Sequence, residues 1–247
     1  LLGRLLGLSE TECKLIDFAE CRSFTLFRQV LRNIGGFTIN DAYEYLATAI
    51  DAPMTEVRTA LRSNAPLRSY RLVRLDASPN DMEDFLRLES LGESFVNEDY
   101  PNPEDLLRLI VQPGHPGELV ADDFLHMSDD LELLSRYFHR SSLTRASGCN
   151  ILLYGPPGTG KTEFARLIAK QAELAQFDIK SCNSEGESME KHERIAHFAL
   201  AQRFLAEQGK ALLIFDEIED VFPSDELGLS FLFGRGRGTQ SANQSKA

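Results

Sequence analysis

Eight residues, Gly155-Pro156-Pro157-Gly158-Thr159-Gly160-Lys161-Thr162, restrict the fold more than any other stretch of this chain. They follow Asn150 to Tyr154, where consecutive Ile151, Leu152 and Leu153 read as a short buried strand. They precede Thr162 to Lys170, where Phe164, Leu167, Ile168 and Ala169 share one side of a helix. The spacing is G-x-x-x-x-G-K-[ST], that of a phosphate-binding loop. Glycines there reach backbone angles closed to other residues and let the backbone approach a ligand. Successive N–H groups then form an anion nest, and the following helix adds the positive end of its dipole. Pro156 and Pro157 have fixed φ, which limits collapse of the loop.

A second stretch, Ala211 to Asp220 (ALLIFDEIED), is an apolar strand ending in acids. Its continuous run suits a parallel sheet covered on both faces. Asp216 and Glu217 then fall at the carboxyl end of the strand, where open α/β sheets bind ligands. Asp216 is the natural partner for Mg²⁺, directly or through water, the Thr162 hydroxyl can ligate it, and Lys161 is a mobile charge for the β- and γ-phosphates. Glu217 is the natural group to polarise an attacking water.

Together these stretches closely resemble the AAA+ ATPases, and within them the classical AAA branch, over roughly residues 120 to 222. The resemblance implies ATP as nucleotide, hydrolysis as chemistry, an unidentified protein client and a ring-shaped oligomer, usually a hexamer. It carries Gly155 to Thr162, extended through Glu163, onto the phosphate loop, Asp216 onto the metal carboxylate and Glu217 onto the catalytic base. It also implies a five-stranded parallel sheet in the order 5-1-4-3-2. The chain offers strands 1 (150–154), 2 (176–180) and 3 (211–215), so the P-loop fold is expected to be truncated after the third strand. On that reading the chain, which starts at Leu1, is a fragment, and alone it binds ATP poorly and hydrolyses it negligibly. Arg235 and Arg237 do not match the family's trans-acting arginines. Residues 181–194 lack the aromatic that family unfoldases present before a pore-loop glycine, here Gly186, which argues against aromatic-driven polypeptide translocation.

Composition supports a soluble protein, with 43% hydrophobic and 26% charged residues. No apolar stretch approaches the ~18 residues needed to span a bilayer, and no signal-peptide pattern opens the chain, so a cytoplasmic location away from membranes is expected. Cys13, Cys21, Cys149 and Cys182 form no C-x-x-C pair and are expected to be reduced thiols. His192 and His197, five apart, do not share a helix face as metal ligands would. The net charge of −12 is concentrated: residues 76–132 hold 16 acids against two arginines. With Pro101, Pro103, Pro113 and Pro116, residues 76–120 read as an acidic linker with short helices, ahead of an ATPase portion from 121 to 247.

Residues 1–75 read as mostly helical. Ser9 is a cap candidate for a helix through about Ala19, and Thr38 or Asn40 for another carrying Ala42, Tyr45, Leu46 and Ile50. A short turn, a helix over Thr55 to Arg62 and an alternating strand near Arg71 to Asp76 complete a winged-helix-like adaptor. Arg58, Arg62, Arg68, Arg71 and Arg74 occur there without an intervening acid, which opens a second reading: an ATP-switched, nucleic-acid-binding regulator. Against it, the net charge of residues 1–75 is only +2.

Overall fold

The structure, a computed structural model, describes residues 2–97, 100, 102–144, 149–182, 186–206, 210–218 and 221. The stretch from 222 onward, with Arg235 and Arg237, lies outside the described residues, as do 183–185 of the expected pore-loop region.

Helix α1 (Leu2–Leu6) is followed by α2 (Glu10–Glu20), α3 (Thr25–Arg32), α4 (Ile39–Ala49), α5 (Met54–Ala60) and the single turn α6 (Pro66–Ser69). Capping sets two of the starts. Ser9 Oγ accepts the Glu12 N–H and the Glu12 carboxylate accepts the Ser9 N–H. Thr38 and Asp41 make the same reciprocal pair at α4. Strand β1 (Val73–Leu75) then pairs antiparallel with β2 (Leu86–Leu88), placing Val73 opposite Leu88. Between them lies α7 (Met82–Phe85), and after them α8 (Ser90–Asn97) and α9 (Pro103–Ile110).

The stretch expected to be a solvated acidic linker contributes to the core. Met82, Phe85, Leu86, Phe95, Leu106, Leu107 and Ile110 are buried in one apolar cluster with Leu15, Leu46 and Val57. The β1–β2 ribbon thus crosses the boundary expected at residue 75. The acids mostly stay at the surface. The exception is Glu83, buried beside Arg22, Arg28 and Arg32. Bonding to Arg32 holds its carboxyl below the ordinary carboxylate range against the opposing effect of burial.

The second sheet is mixed. Strand β3 (Val111–Pro113) runs antiparallel to β4 (Ala175–Ile179), which runs parallel to β5 (Ala211–Ile214). Pro113 is tolerated because β3 is an edge strand. Helices α10 (Ser128–Thr144), α11 (Lys161–Gln171) and α12 (Lys191–Leu205) accompany it. This is the α/β arrangement expected, with β4 and β5 adjacent as strands 2 and 3 of the implied order. Leu200, Ala201, Phe204 and Leu205 of α12 join the core that the N-terminal helices build. A separate cluster gathers Phe124, Leu131, Phe164, Leu167 and Ile168.

One expectation fails. Residues 151–154 form no strand, Ile151 and Leu152 are each 41% exposed and Tyr154 is 89% exposed. A strand needs a neighbour for its amides. On one side β5 is taken by β4; on the other a cavity separates it from residues 151–153. Among the described residues no helix is long and apolar enough to cross a membrane. All four cysteines are free.

Candidate nucleotide site

The turn from Gly155 to Gly160 leads into α11. Gly155, Gly158 and Gly160 have φ of 147°, 77° and 79°, all in the region that favours glycine. Gly160 also caps α11, and a Cβ there would meet Phe124 Cε1 at 3.4 Å. Phe124 in turn packs edge-on against Phe164, so the helix start is tied to the second core cluster. Thr159 Oγ1 donates to the Pro156 carbonyl at 2.9 Å, which closes the turn on itself. The N–H groups of the first turn of α11 lack intrahelical acceptors and are available to an anion.

Lys161 Nζ donates to the carbonyls of Gly155 and Pro156, both at 3.0 Å. Both contacts are exposed, so the ammonium can exchange them for another acceptor. Thr162 Oγ1 donates to Asp216 Oδ2 at 2.9 Å. Asp216 lies just beyond β5, and its Oδ1 accepts the Glu217 N–H at 3.0 Å. Glu217 has φ of 53°, a left-handed conformation that costs a non-glycine residue about 1–2 kcal/mol. Lys161, Thr162, Asp216 and Glu217 line one cavity of about 1040 Å³, whose other wall is Ile151, Leu153, Leu212 and Ile214. That volume suits a small-molecule ligand.

Of the residues expected at the loop, Glu163 faces a different partner. Its carboxylate accepts the Glu118 N–H at 2.8 Å, the Leu119 N–H at 3.5 Å and Arg166 Nη1 at 2.7 Å. Burial raises the pKa of its carboxyl, but the Glu118 amide, Arg166 and the Leu119 amide together pull it below the ordinary range. Glu163 therefore straps residues 117–119 to α11, beside the loop. Gly117 permits the approach, since a Cβ there would lie 3.0 Å from Glu163 Oε2. The N-terminal arginines are also partly committed. Arg58 bonds Asn40 and lies over the Tyr43 ring, Arg68 donates to the Leu61 carbonyl and Arg71 pairs with Glu89. Arg62 and Arg74 are exposed. Sequence reasoning missed Arg194, whose Nη2 donates to the Asp216 carbonyl at 2.6 Å. Its place in a sheet-covering helix gave no signal of that contact. Among the described residues no group of three or more His, Cys, Asp or Glu is gathered as a metal site.

The family model described as "ATPase family associated with various cellular activities (AAA)" matches residues 151–242, the stretch that holds the loop, Asp216 and Glu217. Over these residues the chain is similar to the AAA family of ATPases. The chain also has relatives among curated proteins. The chain is 34% identical over 117 residues to ATPase family gene 2 protein homolog B of Mus musculus, a match covering 44% of this chain and 15% of that protein. It is 31% identical over 102 residues to peroxisomal ATPase PEX1 of Homo sapiens, covering 39% and 8%. It is 32% identical over 77 residues to the replication factor C large subunit of Aeropyrum pernix, covering 31% and 15%. The matches thus span a small part of each relative. No solved structure matches the chain.

Proposed function

We propose that the AAA-like segment binds ATP with Mg²⁺ at residues 155–162 and hydrolyses it, and that the protein uses this turnover, as a ring oligomer, to remodel a client protein. The observation that carries the reading is the 2.9 Å bond from Thr162 to Asp216, which joins the start of α11 to the end of β5 beside the loop.

The residues present fit the ligand. The glycines keep the loop backbone open, and Lys161 is held only by two exposed carbonyl contacts. Thr162 and Asp216 supply adjacent oxygens, the donor type Mg²⁺ prefers. When bound, Mg²⁺ neutralises charge on the phosphates. Lys161 leaves the two carbonyls to meet phosphate oxygens. Glu217 orients a water in the cavity and accepts its proton. The helical residues 1–75 act as an adaptor for the client. A nucleic-acid role is less favoured, because Arg58, Arg68 and Arg71 already have partners inside the chain.

The test is calorimetry and steady-state turnover on the full-length protein. Glu217→Gln is expected to keep ATP affinity and lose turnover, since the amide cannot accept the proton. Turnover surviving within a few-fold sinks the assignment of Glu217. Absence of ATP binding by the wild type sinks the whole reading.

A further inference from the structure

Arg194 lies in the first half of α12 with 6% of its surface exposed. A guanidinium this deeply buried needs a strong reason, because removing it from water is expensive. Its Nη2 grips the backbone carbonyl of Asp216 at 2.6 Å. Its guanidinium carbon sits 4.7 Å from the centroid of the Phe215 ring. Its Nε is buried and has no hydrogen-bond partner among the described residues. The side chain is therefore aimed at the Phe215 ring and the Asp216 carbonyl, immediately before Glu217.

The Asp216 carbonyl and the Glu217 N–H belong to one planar peptide unit. Arg194 holds its oxygen end. The N–H end donates to Asp216 Oδ1 at 3.0 Å. With both ends held, the unit cannot rotate about the line joining the two Cα atoms, and that rotation would change φ of Glu217. The observed φ is 53°, which a glutamate keeps only where its surroundings impose it.

We infer that Arg194 is a positioning residue: by gripping the Asp216 carbonyl it keeps Glu217 in the left-handed conformation, with its side chain at the cavity shared with Lys161 and Thr162. The inference rests on the reading of Glu217 as catalytic base. Arg194 touches no reacting atom in this scheme; it acts through the backbone of its neighbours.

The experiment compares Arg194→Gln and Arg194→Lys with wild type in the full-length protein, by two readouts. The first is the backbone at Glu217 in a structure of each variant. The second is kcat, KM and Mg²⁺-free ATP affinity. In Arg194→Gln the 216–217 peptide is expected to turn over and φ of Glu217 to become negative. Its kcat is expected to fall at least tenfold, with KM and affinity within threefold of wild type. Lysine can still donate to the carbonyl, so Arg194→Lys is expected to keep the left-handed Glu217 and recover most of kcat. The inference is overturned if Glu217 stays left-handed in Arg194→Gln, if kcat and affinity fall together by the same factor, or if lysine does no better than glutamine. A wild type without turnover would sink the ATPase reading instead, and the backbone readout would still decide the role of Arg194. If Arg194→Gln does not fold, Arg194→Met, which fills the buried site but cannot donate to the carbonyl, takes its place under the same criteria.

Discussion

Thr162 and Asp216 stand 54 residues apart in the chain and meet at 2.9 Å, hydroxyl donating to carboxylate. That bond places two oxygens at the mouth of the loop. Thr162→Ala removes one of them and leaves Asp216 without its partner. The expected result is loss of most of the Mg²⁺-dependent gain in nucleotide affinity, about tenfold or more, since a hydrogen bond to a charged group is worth about 1.5–3 kcal/mol. Thr162→Ser should retain it. Titration calorimetry with and without Mg²⁺ checks both.

Lys161→Ala is expected to weaken nucleotide binding roughly ten- to a hundredfold while leaving thermal stability nearly unchanged. Its present contacts are two exposed bonds to loop carbonyls, which contribute little to the fold. Unchanged ATP affinity by calorimetry would remove the phosphate loop from the site.

Gly92 and Gly36 make a contrasting pair. A Cβ on Gly92 would lie 2.2 Å from the Leu72 carbonyl oxygen, a backbone atom with no freedom to move aside. Gly36 has φ of 69° and nothing within 4 Å. Gly92→Ala is therefore expected to lower unfolding free energy by about 2 kcal/mol or more, and Gly36→Ala by only about 1 kcal/mol of backbone strain. Urea unfolding of the two variants measures the difference.

His197 is 5% exposed, and its Nδ1 has no hydrogen-bond partner among the described residues. Burial, with Lys180 adding to it, pushes the imidazole pKa from 6.5 down to about 4. The unfolded chain takes up the proton first as pH falls, so stability present above pH 6.5 drains away down to about pH 4. The amount is roughly 3 kcal/mol. His197→Leu lacks this slope. Its stability relative to wild type should rise steadily across that window, as read from urea midpoints at successive pH values. A parallel pH dependence in both proteins would show that the imidazole is not the titrating group.

The local features were legible because their causes are local. The Ser9 and Thr38 caps, the glycine angles of the 155–160 turn and the apolar face of α11 depend on residues within a few positions. The same holds for β5, whose apolar run Ala211–Ile214 announces a strand, and for β4, where Phe177 and Ile179 alternate with Gln176 and Asp178. The loop and the Asp216-Glu217 pair could be named from spacing alone, since phosphate and metal chemistry admit few residue types at those places.

Other features depend on segments that meet only in three dimensions. Strand β3 is three residues long and contains a proline, so no period marks it; its pairing of Val111 with Ile179 makes it a strand. Residues 151–154 have the composition of a strand, yet β5 offers them no edge across the cavity. The acidic stretch looks solvated by charge count, while the buried area of Phe85, Phe95 and Ile110 decides its place in the core. Arg58 and Arg71 read as free cations until Asn40 and Glu89 are brought beside them. The grip of Arg194 on the Asp216 carbonyl belongs with these: composition determined the chemistry available at the site, and only packing of α12 against the end of β5 decided which backbone that chemistry is held on.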